Sequence, residues 1–227
     1  MIKEQTRLRK EISWMIFINF KTYPQGTGQQ AVELAKICEQ VGKSSGVEII
    51  PVIQAVDLYR VAQAVQIPVW VQHVDWQSQG QHTGLVNLEA VVEAGASGTL
   101  LNHAEHRIPP GTVKQVIKRI ENFKVMVCAR TLGQAERLAK LKPDFLAYEP
   151  PELIGGEVAV SEAEPGVIKR IVEKVPGVPI IVGAGVKSGK DVKKSIELGA
   201  VGVLVSSGVV LAKDPEEALE DLTNGFK

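Results

Sequence analysis

The sequence predicts an α/β fold in which eight parallel strands, each followed by a helix, close into a single (β/α)₈ barrel. Three observations lead to this prediction: eight short apolar runs, segments of helical periodicity between them, and a length of 227 residues. Strands that alternate with helices are typical of parallel sheets. An open doubly wound sheet is the alternative, but the first run is followed by NFKTYPQGTG and not by the expected GxGxxG.

The predicted strands are short runs rich in β-branched residues. Near-continuous apolarity of this kind is typical of strands that are covered on both faces. In chain order the runs are MIFIN (15–19), VEIIPV (47–52), PVWVQ (68–72), GTLLN (98–102), KVMVCA (124–129), DFLAY (144–148), VPIIV (178–182) and VGVLVS (201–206). Because no linker or long repeat divides them, we predict one barrel domain over residues 15–227.

Segments between the runs carry apolar residues three and four positions apart, which is the spacing of an amphipathic helix. The clearest are residues 29–43, 110–122, 132–142, 164–175 and 188–199. Ser161 with Glu164 forms a capping-box pattern, and Ser188 with Asp191 suits a helix start. Gly199 is placed to follow a helix end.

The first fourteen residues precede the predicted barrel. Residues 1–13, MIKEQTRLRKEIS, are polar and have too little apolar content for a signal sequence. We therefore predict an N-terminal extension over residues 1–14. Translation that starts at Met15 and a helical arm at a subunit contact are equal interpretations of it.

Composition excludes several classes of function. Lys plus Arg and Asp plus Glu both number 26, so no overall basic field indicates a nucleic-acid or membrane partner. No apolar run approaches the roughly 20 residues that a membrane span needs. Cys38 and Cys128 lie in apolar surroundings without a CxxC motif, as core residues do in a reducing compartment. We predict a cytoplasmic protein without a disulfide or a metal site.

Polar residues follow the strands where the loops of a barrel converge on one mouth. They are Asn19, Lys21, Asn102, His103, Glu105, Glu149, Ser206 and Ser207. Together they have the parts for proton transfer beside a bound anion. Each of them has a structural and a catalytic interpretation.

Glu149 ends a buried strand, and two prolines follow it. A lone glutamate there is usually an ion-paired rim residue, but Tyr148, Pro150 and Pro151 limit its freedom, so a general base is favoured. His103 could be a core imidazole. Its place at a strand end, before AEHRIPP, suits a neutral imidazole that donates a hydrogen bond.

Lys21 is either an ordinary surface lysine or a cation that faces the mouth from between Asn19 and Tyr23. Glu105 is then its partner, or a solvated helix charge. A metal held by His103 and His106 lacks a third ligand and is set aside.

Two glycine-containing loops are candidates for phosphate binding. GAGVKSGKDV and VSSGVV follow the last two strands, where barrels usually bind phosphate, and Gly183 and Gly185 allow close backbone approach. One GxG is weak evidence, whereas two such loops on consecutive final strands are stronger.

The segments NFKTY, LLNHAEHR, AYEPPELIGG, GAGVKSGKDV and GVLVSSGVVLAKDP occur in the order and spacing of the triosephosphate isomerase family. Over about residues 15–225 the chain closely resembles the short archaeal type of this family. The resemblance implies a TIM barrel that interconverts dihydroxyacetone phosphate and D-glyceraldehyde 3-phosphate in glycolysis and gluconeogenesis. It implies no metal and no cofactor, and a triose phosphate as the small-molecule partner.

The resemblance also implies roles for the candidates. Glu149 would be the base that moves a proton between C1 and C2, and His103 the neutral electrophile acting through an enediolate. Lys21 and Asn19 would stabilise oxyanion charge and contact the substrate, and Glu105 would orient Lys21. The phosphate would bind the backbone N–H groups of Gly155, Gly185, Ser206 and Ser207.

A lid over the site follows from the same resemblance. Its first hinge would be Pro150, Pro151 and Glu152, and its tip Leu153, Ile154, Gly155 and Gly156. An enediolate phosphate eliminates its phosphate in water, so the base must work under a cover that excludes solvent.

Two departures from the family pattern support a second hypothesis. Ala104 stands where many members carry Ser, and Gly156-Glu157 where they carry Thr-Gly. We expect an altered lid equilibrium or turnover, and the alternative function is a phosphometabolite-binding barrel with reduced or lost turnover. A barrel enzyme of the tryptophan pathway is disfavoured, because the chain lacks that group's longer loops and acid pairs.

The loop QHVDWQSQGQHTG (72–84) resembles the arm that reaches into a neighbouring subunit in this family, with Thr83 near its tip. The resemblance therefore implies a homo-oligomer, with a tetramer favoured and a dimer possible. Trp70 and Trp76 would pack at that contact, or alternatively in a monomeric core.

Overall fold

A computed structural model describes residues 14–156 and 158–227. Its eight strands form a closed barrel in sequence order, which confirms the predicted fold and rules out the open sheet. The strands are β1 (Met15–Asn19), β2 (Glu48–Ile53), β3 (Val69–Val71), β4 (Ala96–Leu101), β5 (Lys124–Ala129), β6 (Phe145–Tyr148), β7 (Ile180–Gly183) and β8 (Gly202–Val205).

Every neighbouring pair of strands is parallel. Met15 on β1 lies opposite Glu48 on β2 and opposite Gly202 on β8, and this second pairing closes the barrel. Parallel closure brings the carboxyl ends of all eight strands to one mouth. The predicted site residues therefore lie on the same face of the molecule.

Aromatic side chains fill the inside of the barrel. The ring of Phe17 lies 4.9 Å from that of Trp70 and 5.6 Å from that of Phe145, in edge-on contacts that aromatic pairs prefer. Trp70 is thus a core residue and does not pack at a subunit contact. Trp76, in the loop after β3, keeps part of its side chain exposed.

Helices surround the strands and bury their apolar faces against them. They are α1 (Gly28–Ser45), α2 (Leu58–Ala62), α3 (Leu88–Glu93), α4 (Pro110–Arg119), α5 (Leu132–Ala139), α6 (Val160–Ala163), α7 (Pro165–Lys174), α8 (Gly189–Glu197), α9 (Ser207–Val210) and α10 (Pro215–Asn224). The five predicted helices are present as α1, α4, α5, α7 and α8. The other helices were not predicted.

One of the two predicted capping patterns is confirmed. The Ser188 hydroxyl and the Asp191 carboxylate cap α8 reciprocally, and Gly199, with a φ of 101°, follows its C-cap as predicted. The Ser161 pattern is wrong, since Ser161 lies inside α6 and Glu164 is the N-cap of α7. The reason is Pro165, which starts α7 at its first position.

Trp14 packs onto the barrel from the side of its amino-terminal strand ends. Its ring stacks on Phe226 at 5.7 Å, and its carbonyl accepts a hydrogen bond from the Glu48 N–H. The remainder of the predicted extension, residues 1–13, lies outside the described residues. Within residues 14–156 and 158–227, no helix has the length and apolarity needed to cross a bilayer.

Candidate active site

A pocket at the carboxyl end of the barrel contains most of the predicted site residues. Its lining is Asn19, Lys21, Tyr23, His103, Glu149, Ile154, Gly155, Gly156, Ala184, Gly185, Val186, Lys187, Leu204, Val205, Ser206 and Ser207. Glu105, the predicted hinge residues Pro150, Pro151 and Glu152, and Leu153 of the predicted tip lie outside this lining. The loops after strands β1, β4, β6, β7 and β8 thus meet around one space.

Glu149 follows β6 directly, and its N–H donates to the Ala129 carbonyl. The residue is only 4% exposed. Its Oε2 lies 3.6 Å from His103 Nε2, which is too long for a hydrogen bond, and this oxygen has no hydrogen-bond partner among the described residues. A buried oxygen left in this way carries a desolvation cost that a ligand between the two groups would offset.

The protonation of His103 follows from its backbone contact. The Glu105 N–H donates to Nδ1 of the imidazole at 3.2 Å. A nitrogen that accepts a hydrogen bond carries no proton, so the ring proton sits on Nε2, the atom nearest Glu149. His103 is therefore a neutral donor aimed into the pocket. His106 packs against His73, with ring centres 4.3 Å apart.

The loop that carries His103 is held by Asn102, which has a φ of 59°. Its side-chain amide donates to the Cys128 carbonyl at 2.9 Å and accepts from the Ile108 N–H at 3.3 Å. A left-handed backbone is uncommon for residues other than glycine and persists where surrounding bonds hold it. These bonds fix the direction in which the imidazole leaves β4.

Lys21 has a similarly constrained backbone, with a φ of 49°. Its N–H donates to Asn19 Oδ1 at 3.0 Å, and its carbonyl accepts from Gln72 at 2.9 Å. The Lys21 ammonium donates to Glu105 Oε1 at 2.6 Å. The lysine side chain is 14% exposed and the glutamate side chain 56%, so the cation is set into the mouth while its partner faces solvent.

The opposite side of the pocket is built from backbone. Gly155 and Gly185 both have a φ of 71°, and a Cβ on Gly185 would lie 2.2 Å from the Val158 carbonyl oxygen. The Ser206 hydroxyl is buried and has no partner in the part of the chain that the structure describes. Ser207 begins α9, whose first N–H groups lack intrahelical acceptors. This side of the pocket can bind an anion through N–H and hydroxyl donors.

Six lining residues were not among the predicted site residues: Tyr23, Ala184, Val186, Lys187, Leu204 and Val205. Lys187 and Ala184 belong to the loop after β7, and Ala184 adopts a φ of 72°. Lys187 could have been found, because it follows the GAG turn that was already a phosphate candidate. Across residues 14–156 and 158–227, no three His, Cys, Asp or Glu side chains are grouped so as to hold a metal ion.

The family model of triosephosphate isomerase matches residues 14–224. The chain belongs to the triosephosphate isomerase family. Triosephosphate isomerase of Methanothermus fervidus is 48% identical over 214 residues, which are 92% of this chain and 96% of that protein. The enzymes of Methanothermobacter thermautotrophicus and Methanocaldococcus jannaschii are 44% and 42% identical, again over 92% of this chain, and over 94% and 98% of their own lengths.

Membership in the triosephosphate isomerase family confirms the resemblance to archaeal relatives and the prediction of an enzyme. The activity is an intramolecular aldose–ketose isomerisation of triose phosphates, which belongs to glycolysis and gluconeogenesis. Membership excludes a tryptophan-pathway barrel.

Proposed function

We propose that Glu149 is the base and His103 the electrophile with which this chain interconverts dihydroxyacetone phosphate and D-glyceraldehyde 3-phosphate. The observation that carries the proposal is the 3.6 Å approach of Glu149 Oε2 to His103 Nε2 inside one buried pocket. A carboxylate oxygen that has no hydrogen-bond partner among the described residues, such as Glu149 Oε2, is available to accept a proton from a substrate carbon. A neutral imidazole with its proton on Nε2 can donate to a carbonyl oxygen.

The proposed reaction moves one proton between neighbouring carbons. Glu149 takes a proton from C1 of dihydroxyacetone phosphate, and the electron pair moves onto the carbonyl oxygen to form an enediolate. His103 donates its Nε2 hydrogen bond to that oxygen while charge develops. The proton is returned at C2 and another passes from O1 to O2, so that substrate and product are isomers.

Lys21 and Asn19 supply positive potential for the developing oxyanion. The ion pair with Glu105 orients the Lys21 ammonium, and the Asn19 side chain fixes the Lys21 backbone. A preorganised cation at the edge of a water-poor site contributes more than it would in bulk water.

The substrate phosphate occupies the backbone side of the pocket. Its donors are the N–H groups of Gly155, Gly185, Ser206 and Ser207, all of which line the same space. The buried Ser206 hydroxyl without a partner among the described residues supports an anion at this point.

The lid runs from Pro150 to Gly156. Pro151–Leu153 form a single 3₁₀ turn that includes the end of the hinge and the first residue of the tip, and Gly155 and Gly156 line the pocket. Closure of this segment excludes water from the enediolate. Three residues depart from the family pattern at two places. Ala104 and Gly156 lie within the described residues, and Glu157 lies outside them.

We also propose a cytoplasmic homo-oligomer, with a tetramer favoured over a dimer. Exposed apolar side chains that follow β2 and β3 support it: Val56 is 80% exposed, and Tyr59 of α2, Trp76 and Leu85 are also exposed. Two hydrogen bonds between Asp75 and Val86 hold the base of the arm together. The Asp75 carboxylate accepts from the Val86 N–H, and the Asp75 N–H donates to the Val86 carbonyl. Measurement of the mass in solution tests this proposal and separates tetramer from dimer.

A coupled isomerase assay on Glu149→Gln tests the assignment of the base. We expect turnover to fall by several orders of magnitude, and wild-type turnover to survive a chelator. Normal activity in the variant would remove Glu149 from this role. Tight binding of a phosphorylated enediolate analogue by a wild-type chain that does not turn over would select the alternative, a binding barrel with lost activity.

A further inference from the structure

We infer that Gly183 is a positioning residue for the base, because the absence of a side chain there forms the slot that holds the Glu149 carboxyl group. The inference rests on the proposed role of Glu149. Gly183 is the last residue of β7, next to β6 in the barrel. The pairing of Tyr148 with Val182 makes Glu149 and Gly183 neighbours at the mouth.

The space around Gly183 is occupied by Glu149 itself. A Cβ on Gly183 would lie 2.5 Å from Cγ, 2.6 Å from Oε1 and 2.8 Å from Cδ of Glu149, and these are its three nearest neighbours. Carbon atoms at their best separation are about 3.5 to 4 Å apart, so the Glu149 side chain would have to move by roughly 1 Å. The substitution therefore acts directly on the base.

Backbone conformation does not require glycine at this position. Gly183 lies in β7 with a φ outside the left-handed region, where alanine is equally comfortable. Other glycines of the barrel differ in what they contact. A Cβ on Gly202 would lie 2.3 Å from the Met15 carbonyl oxygen, which cannot move without disturbing the sheet. Gly183 instead faces the flexible end of one side chain.

His103 and Cys128 are further neighbours of the carboxyl group in the slot. His103 Nε2 lies 3.6 Å from Oε2 on one side. Cys128 is buried nearby, where burial and then the charge of Glu149 raise the pKa of its thiol well above 9.0. We therefore expect a new methyl group to change the distance between the displaced carboxyl group and His103.

The first test is Gly183→Ala, studied by steady-state kinetics and thermal unfolding. We expect kcat to fall about a hundredfold, since a displacement of about 1 Å at a reacting group costs that much, with little change in KM or Tm. Gly42→Ala is the matched control, because a Cβ there meets the Val47 carbonyl at 3.2 Å, away from the site. It should leave kcat unchanged.

A double-mutant cycle separates positioning from general damage. Glu149→Asp carries a shorter side chain that withdraws from the slot. Addition of Gly183→Ala to this variant should lower kcat by less than about threefold, because the two substitutions share one contact. A full hundredfold loss in the Glu149→Asp background would overturn the inference, as would a Gly183→Ala enzyme that keeps kcat within about twofold.

The test remains decisive if Gly183→Ala does not fold. The same substitution is then made in Glu149→Ala, which removes the atoms that the new methyl group would meet. Folding of the double variant supports the inference, and failure in both backgrounds overturns it. Normal activity of Glu149→Gln would refute the proposed base, whereas an inactive Glu149→Gln beside a fully active Gly183→Ala would refute only the role of Gly183.

Discussion

The hydroxyl of Tyr148 donates a hydrogen bond to the carboxylate of Glu164, across the base of the proposed lid. Tyr148 immediately precedes Glu149, and Glu164 is the N-cap of α7. Burial and then the Glu164 carboxylate raise the pKa of the Tyr148 hydroxyl, so the phenol remains a donor at working pH. This hydrogen bond links the end of β6 to the start of α7, and closure of the proposed lid would therefore be confined to the residues between them.

We expect Glu164→Gln to weaken the hydrogen bond between Tyr148 and residue 164. A hydrogen bond to a charged group contributes about 1.5 to 3 kcal/mol, and its weakening by a neutral amide acceptor should raise KM several-fold and increase the share of turnovers that release inorganic phosphate. Phosphate release measured beside isomerisation checks this expectation. Glu162→Gln is the matched control, since Glu162 is exposed on the same segment. Equal phosphate release in both variants would show that this hydrogen bond does not govern the lid.

Lys21 should contribute much more to catalysis than its ion-pair partner Glu105. The lysine is set into the mouth and the glutamate side chain is more than half exposed, so water screens the pair and solvates the glutamate. We expect Lys21→Met to lower kcat/KM more than a hundredfold and Glu105→Gln about tenfold or less.

Steady-state kinetics of the two variants tests this order. Thermal unfolding serves as the control, because loss of a half-exposed ion pair should leave Tm nearly unchanged. An equal loss of kcat/KM in both variants would mean that Glu105 itself takes part in the chemistry.

Glu39 should contribute to stability in a pH-dependent way. The Lys43 ammonium at 2.9 Å and the Gln66 N–H at 3.0 Å lower the pKa of this carboxyl group below 4.5. A lowered pKa in the folded state means that the stabilisation is complete above the unfolded pKa and is lost as pH falls through the folded value. The free energy of unfolding, measured in urea at pH 7 and below pH 4, should therefore fall less on acidification in Glu39→Gln than in the wild type.

Glu33→Gln is the control for this experiment, since Glu33 is an exposed residue of the same helix that meets Lys36 at 3.4 Å. Its acid dependence should match that of the wild type. Identical curves for all three proteins would contradict a role for Glu39.

Both thiols should be unreactive in the folded enzyme. Cys38 and Cys128 are free and buried, and burial raises the pKa of Cys38 to about 12, so almost no thiolate forms at pH 8. An aromatic disulfide reagent should label no thiol in the native protein and two in urea. Rapid labelling of the native protein that disappears in Cys38→Ala would show that α1 opens locally.

The architecture could be predicted because apolar runs and helical spacing are local properties of the chain. The missed helix α10 was also within reach, since Asp214 caps it by accepting from the Glu216 and Glu217 N–H groups and Pro215 follows. The helices α2 and α3 are a different case. They have five and six residues, too few for a periodic pattern to appear.

The site was predictable only in part. Glu149, His103 and Lys21 could be placed at one mouth because the carboxyl ends of all barrel strands converge there. This inference does not require knowledge of which strands are neighbours. The contact between Glu149 and Gly183 depends on strand register and side-chain packing. The same holds for the hydrogen bond from Tyr148 to Glu164. A single sequence contains neither, whereas the wrong cap at Ser161 was avoidable, because Pro165 already marks the first position of α7.

The seam between β1 and β8 has a consequence for synthesis in the cell. It joins the first strand to the last, and Asn19 and Ser206 take their places in the pocket from these two strands. A chain still emerging from the ribosome lacks β8 and cannot complete the pocket. The nascent polypeptide therefore cannot form the complete substrate pocket until β8 has been translated.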